Sequence, residues 1–266
     1  MYSYVTNEVT MNILVNGLNI EYSDRGEGEA VVILHGWSQE RELYVPLSDV
    51  VSEGYRAIAP SLPGFGGSDE PPEPWDVDKF ADTICEFIVA LGLEKVILMG
   101  HSYGGRVIIK LASRDKLPFE ISKIILVDSA GVLPKRGLDY KIKVTTYKIG
   151  KKFMLSPPMK KLFPKAIERW QAKQGSSDYS KASPIMRGCL VKAVNEDLTH
   201  LFEKIGQEVL LIWGTLDDAT PLSDGELMEK KMPDAGLVKI AGAGHFPWLN
   251  NPGLFSAVIR SYLKIG

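Results

Sequence analysis

Residues 99–107 read MGHSYGGRV and hold one hydroxyl, that of Ser102, among glycines at 100, 104 and 105. A serine hydroxyl is a weak nucleophile until a base takes its proton, and the base needs an acid to orient it. The chain has four histidines. His35 and His101 are built into glycine motifs, and His200 lies in a Lys-rich middle stretch. His245, in AGAGHFPWLNNP, follows the last strand-like run and precedes the final helical one, which makes it the expected base. Three aspartates are candidates for the acid: Asp217 and Asp218 in IWGTLDDATP, and Asp128 at the end of IILVD. Each follows an apolar run, and aspartates also cap helices and hold loops at such places.

These groups can act together only if a scaffold brings their loops to one edge. Short apolar runs recur at 30–36, 55–61, 95–100, 123–129, 208–214 and 237–242. Four to six Val, Ile and Leu without alternation predict strands buried on both faces. Between them, Asp76 to Leu91 places Phe80, Ile84, Phe87, Ile88 and Leu91 on one helical face, with Asp76 as cap and Gly92 as stop. Tyr103 to Lys116 and Pro252 to Lys264 read the same way. Leu14 to Asp24 predicts a hairpin turning at Asn16-Gly17. The expected fold is α/β, a mostly parallel sheet of about eight strands with helices on both faces.

After Gly131 some 75 residues pass before the next strand pattern, too many for a structureless loop. We expect residues 132–206 to form an inserted helical cap, with 1–131 and 207–266 as the core. Tyr147, Phe153, Met154, Leu162, Phe163, Trp170, Leu190 and Val194 would supply its apolar face, either as its own core or as an acyl pocket. The cap carries 16 Lys and Arg against 6 Asp and Glu, although the whole chain, with 31 against 33, has a net charge of −2. Such a surface suits an anionic substrate, or simply a solvated helical face.

The remaining composition narrows the classes. A hydrophobic fraction of 45% with 24% charged residues is that of a globular chain with a large core. Met1 to Thr10 is polar, without the basic and apolar regions of a secretory signal, and no apolar run approaches membrane-spanning length. A cytoplasmic protein with no stable membrane insertion is expected. Cys85 and Cys189 suggest neither a disulfide framework nor a metal cluster, and both are expected to be buried as small apolar groups. Neither a P-loop lysine nor G-x-G-x-x-G is present, so no cofactor is expected, and nucleic acid is not an expected partner.

LHGW (34–37), PSLPGFGGSD (60–69), GHSYGG (100–105), WGTLDDATP (213–221) and GAGHFPWLNNP (242–252) occur in this order. Together they resemble the α/β-hydrolase fold superfamily, in its serine-nucleophile branch with an inserted helical cap. The G-x-S-x-G pattern between a strand and a helix is the nucleophile turn of that fold. The resemblance implies Ser102 as nucleophile and His245 as base. Its G-x-x-D-x-x-x-P pattern, here Gly214 to Pro221, selects Asp217 as the acid, with Asp218 the neighbouring fallback and Asp128 resembling an alternative acid position. It also implies an oxyanion hole from the backbone N–H groups of Trp37 and Tyr103, whose rings would either line the pocket or pack around the turn. Ser68 and Asp69 are read as a structural turn that caps the next element.

A serine at the turn excludes the dehalogenase and epoxide hydrolase branches, which use aspartate there, and leaves acyl chemistry. The leading expectation is a carboxylesterase acting on a small to medium ester, or a related acyl substrate. The alternative is hydrolysis of a carbon–carbon bond in a ring-fission type diketone acid. Arg106 or Arg187 would then receive the substrate carboxylate, Arg106 being otherwise a surface residue of the helix after Ser102. The non-enzyme alternative is a hydrolase-fold ligand receptor with vestigial activity.

Overall fold

The computed structural model describes residues 10–39, 41–133 and 182–266. An eight-stranded sheet runs through them: β1 (Thr10–Val15), β2 (Leu18–Arg25), β3 (Ala30–Leu34), β4 (Arg56–Pro60), β5 (Lys95–His101), β6 (Glu120–Val127), β7 (Glu208–Gly214) and β8 (Ala235–Ile240). Their order across the sheet is β1-β2-β4-β3-β5-β6-β7-β8. β1 pairs with β2, and β2 with β4, in antiparallel fashion; the other neighbours are parallel. The mostly parallel α/β sheet read from the sequence is therefore the fold. At the first turn, Asn16 and Gly17 take φ of 50° and 82°, as a tight hairpin of right-handed twist requires.

Helices α1 (Val45–Val51) and α7 (Pro252–Leu263) cover one face of the sheet, and α2 (Val77–Ala90), α3 (Tyr103–Ala112), α4 (Pro184–Asn195) and α5 (Leu222–Lys231) gather on the other. A single-turn helix, α6 (Pro247–Asn250), sits before α7. The unbroken apolar runs of the central strands follow from this double cover. Along β5, Val96 and Leu98 face the α2 and α3 side, whereas Ile97 and Met99 face α1 and α7. Asp76 caps α2 by accepting from the Lys79 N–H at 3.1 Å, and Gly92 follows the helix at φ 67°.

Three expectations change. The helix at 103 stops at Ala112, and β6 begins at Glu120, upstream of its apolar run, because its exposed end still pairs with β5. Ser68 and Asp69 cap no helix. Ser68 donates to the Ser61 carbonyl and accepts from Glu21 N–H, and Asp69 accepts from Asn19 N–H, so both tie the 60–69 turn to β2.

Most of the expected cap, including Tyr147, Phe153, Met154, Leu162, Phe163 and Trp170, lies outside the described residues. Within the same range, helix α4 buries Met186, Cys189 and Ala193, spaced along one helical face. That choice leaves Leu190 only half-buried and Val194 42% exposed. Cys85 and Cys189 are both free and buried. No helix among the described residues is long and apolar enough to cross a membrane.

Candidate active site

Ser102 stands between β5 and α3 with φ 51° and ψ −110°, a conformation a residue with a Cβ rarely adopts. The turn is held from both sides. Ser102 N–H donates to the Val127 carbonyl at 3.1 Å, and the Ser102 carbonyl accepts from Gly105 and Ala130 N–H at 3.1 and 3.0 Å. The glycines are needed for closeness. A Cβ on Gly104 would collide with the Leu34 carbonyl oxygen, one on Gly105 with the Ser129 hydroxyl, and one on Gly100 would lie 2.6 Å from Ile108 Cδ1. Strand and helix thus approach at backbone distance and leave Ser102 half-exposed at the carboxyl edge of the sheet.

Two loops at the same edge carry the next groups. His245 follows β8, and its Nδ1 lies 2.8 Å from Asp217 Oδ2. Asp217 follows β7, with its side chain fully buried and that of His245 16% exposed. Burial alone would push the Asp217 carboxyl up. The hydrogen bonds from His245 and Thr220 outweigh it and hold the group at about 2, ionised at neutral pH. The Asp217 oxygens also accept from Ala219 N–H at 2.8 Å, Thr220 N–H at 3.1 Å and the Thr220 hydroxyl at 2.7 Å. With Nδ1 engaged by Asp217, the other ring nitrogen of His245 is the one left to exchange a proton.

The other aspartates are placed differently. Asp218 is exposed and outside this cluster. Asp128, directly after β6, is fully buried at a strained φ of 40°, and its Oδ1 accepts from Gly214 N–H at 2.9 Å. Burial, reinforced by the charge of Asp217, pushes its carboxyl up to about 9 against the pull of the Gly214 N–H. It is a neutral acid at neutral pH. Thr220, which the sequence reading passed over, joins the two loops: its hydroxyl also lies 3.0 Å from the Asp128 carbonyl and 3.3 Å from His245 Nδ1. Its one sequence signal is its place just before Pro221.

Trp37 follows β3, and its backbone N–H has no acceptor among the described residues. Tyr103 opens α3, where first-turn N–H groups lack a carbonyl one turn earlier and the helix dipole favours an anion. The two rings pack rather than line open space. Trp37 is 7% and Tyr103 4% exposed, their centroids are 5.0 Å apart at 90°, and Phe65 and Phe80 close the stack. The Trp37 Nε1 and the Tyr103 hydroxyl are buried without a hydrogen-bond partner among the described residues.

Arg106 is not the surface residue considered above. It is 4% exposed, and its Nη1 donates to the Glu196 carbonyl at 2.9 Å, fastening α3 to the end of α4. Arg187 sits half-buried on α4, and His200 is exposed. His35 is buried and held down at about 4 by desolvation. Its Nδ1 bonds the Gly36 carbonyl and its Nε2 accepts from Leu62 N–H, so it braces the loop after β3.

Residues 31–258 match the model of the "Alpha/beta hydrolase family". The chain is 26% identical over 257 residues to Lipase 3 of Moraxella sp., covering 90% of this chain and 79% of the lipase. It is 26% identical over 277 residues to 2-hydroxy-6-oxo-6-phenylhexa-2,4-dienoate hydrolase of Burkholderia cepacia, covering 95% and 93%. Among solved structures, a bromoperoxidase from Bacillus anthracis superposes with a TM-score of 0.76 at 22% identity, covering 96% and 100%. At that identity the likeness is one of fold.

Proposed function

Because the chain belongs to the alpha/beta hydrolase family, we propose that this hydrolase works through Ser102 as nucleophile, and that its substrate is a carboxylic ester of small to medium size. The observation that carries the reading is the 2.8 Å contact between His245 Nδ1 and the ionised Asp217, on the edge that also presents Ser102 on a strained turn.

His245 takes the Ser102 proton as Oγ bonds to the substrate carbonyl carbon, and Asp217 stabilises the imidazolium so formed. The carbonyl oxygen becomes an oxyanion that accepts hydrogen bonds from the Trp37 and Tyr103 N–H groups. Collapse breaks the ester C–O bond, and the leaving alkoxide takes the proton from His245. Water, deprotonated by the same histidine, then attacks the acyl-enzyme; the carboxylic acid leaves and Ser102 regains its hydrogen. Asp217 is the acid in this scheme, since Asp218 is exposed and Asp128 is neutral.

The test is covalent labelling by a fluorophosphonate, which reports an activated serine whatever the natural ester. Labelling of the wild type and its loss in Ser102→Ala is expected, and an unlabelled wild type refutes the nucleophile assignment. Turnover of esters of increasing acyl length, beside a ring-fission diketone acid, separates ester from carbon–carbon bond hydrolysis. Faster turnover of the diketone acid would replace the ester reading.

A further inference from the structure

Beneath Ser102 a chain of buried polar groups links three loops. His101, the residue before Ser102, is 1% exposed. Its Nε2 lies 2.8 Å from the backbone carbonyl oxygen of His245, and its Nδ1 lies 2.8 Å from the Tyr44 hydroxyl. The same hydroxyl lies 2.6 Å from the N–H of Gly36, the residue before Trp37. The loops after β3, β5 and β8 therefore meet at one imidazole and one phenol.

The donors and acceptors can be assigned in one way only. A carbonyl oxygen solely accepts, so His101 Nε2 carries a hydrogen. Desolvation holds His101 down at about 3, so at neutral pH the ring has a single N–H and Nδ1 is a lone pair. The Tyr44 hydroxyl then donates to Nδ1 and accepts from Gly36 N–H. Each buried group is satisfied, and the direction of every bond is fixed.

The packing around the two rings leaves little freedom. A Cβ on Gly36 would come within 2.9 Å of His101 Nδ1 and 3.2 Å of the Tyr44 hydroxyl, which explains glycine there independently of any turn. Trp248 stacks edge-on against His101 at 4.8 Å and donates from Nε1 to the Leu43 carbonyl at 3.0 Å. The rings of His101 and His245 are 4.6 Å apart.

We propose that His101 and Tyr44 are positioning residues that hold the base loop of His245 and the oxyanion loop at Gly36-Trp37 in register with Ser102. Neither side chain touches substrate in this role; each acts through the backbone of its neighbours. The proposal rests on the serine-hydrolase reading for its kinetic consequence, whereas the tautomer of His101 follows from the hydrogen bonds alone.

The experiment compares wild type with Tyr44→Phe, His101→Phe and His101→Gln, assayed well below each melting midpoint. The readouts are kcat and KM on a short activated ester and the rate of fluorophosphonate labelling. Tyr44→Phe keeps the ring and removes only the link, and is expected to lower kcat and labelling about 10–100-fold with little change in KM, as for an ångström-scale misplacement. His101→Phe is expected to lose more. His101→Gln, which keeps a donor for the His245 carbonyl, is expected to recover part of that loss, a pattern that loss of packing alone does not give. Nitrogen NMR of wild-type imidazoles near neutral pH is expected to show His101 as the Nε2–H tautomer. Wild-type labelling rates in folded Tyr44→Phe and His101→Phe, or an Nδ1–H tautomer, would overturn the proposal. If the wild type does not label, the nucleophile reading falls, and the NMR tautomer alone decides the hydrogen-bond assignment.

Discussion

Asp217 and Asp128 follow neighbouring strands, and the fold holds them in opposite protonation states at neutral pH, Asp217 at about 2 and Asp128 at about 9. Burial pushes both carboxyls up. Asp217 overcomes it with two N–H donors, a hydroxyl and the His245 ring, whereas Asp128 has the Gly214 N–H alone among the described residues and also faces the charge of Asp217.

The first prediction separates the adjacent aspartates. Asp217→Asn removes the charge facing His245 and should lower kcat by a factor on the order of 10³–10⁴. Asp218→Asn alters an exposed side chain and should leave turnover within about twofold. Steady-state kinetics on one ester decides it, and comparable losses in both variants would count against Asp217 as the acid.

Asp128 makes a prediction about stability. Its folded form keeps a proton that the unfolded chain releases above about pH 4. The contribution of this one group to stability therefore falls as pH rises from about 4 towards 9, by at most about 1.4 kcal/mol per unit, and comparison with a variant isolates it from the opposite contributions of His35 and His101. Asp128→Asn removes this dependence, so its stability relative to wild type should increase between pH 5 and pH 8. Urea unfolding at both pH values measures the difference, and an unchanged or reversed difference means that Asp128 is ionised in the folded state.

Gly104 tests the close approach of helix and strand. Gly104→Ala forces a methyl group against the Leu34 backbone and should destabilise the protein by about 1–3 kcal/mol or more, with loss of labelling at Ser102. Gly236, on β8, has open space around a built Cβ, and Gly236→Ala should be nearly silent. Thermal melts of the pair check this; equal shifts would show that steric approach is not what fixes glycine at 104.

Tyr103 tests whether ring or amide matters. Its hydroxyl is buried without a partner among the described residues, which ordinarily costs about 1–3 kcal/mol. Tyr103→Phe should keep kcat and raise the melting midpoint. A fall in kcat would assign the hydroxyl a part in the reaction.

The sheet and the turn at Ser102 are legible in the chain because each rests on a local pattern. Buried parallel strands are written as unbroken apolar runs, and a close helix–strand approach as glycines at 100, 104 and 105. His245 is read from the loop that follows such a run, whereas three aspartates share that place and only the resemblance, through Gly214 and Pro221, selects Asp217. Thr220 and Tyr44 are not legible in this way, since their partners are far away in sequence or depend on loop conformation, and a threonine before a proline carries no periodicity. His101 reads as part of a glycine motif, since the carbonyl it binds is 144 residues away and leaves no local signal. Ser68 and Asp69 read as caps, whereas their partners, Glu21 and Asn19, lie on β2, 47 and 50 residues earlier.

That separation also orders events as the chain is made. The turn at Ser102 leaves the ribosome long before the loop of His245 exists, and β5 must wait for β6 to complete its parallel pairing. Two of the hydrogen bonds that hold Ser102 at a φ of 51° come from chain made later, the Val127 carbonyl and the Ala130 N–H. Long-range parallel pairing is slow, and its unpaired strands are aggregation-prone. The elbow geometry thus depends on chain made after it, and the pairing of Asp217 with His245 on the last third of the polypeptide.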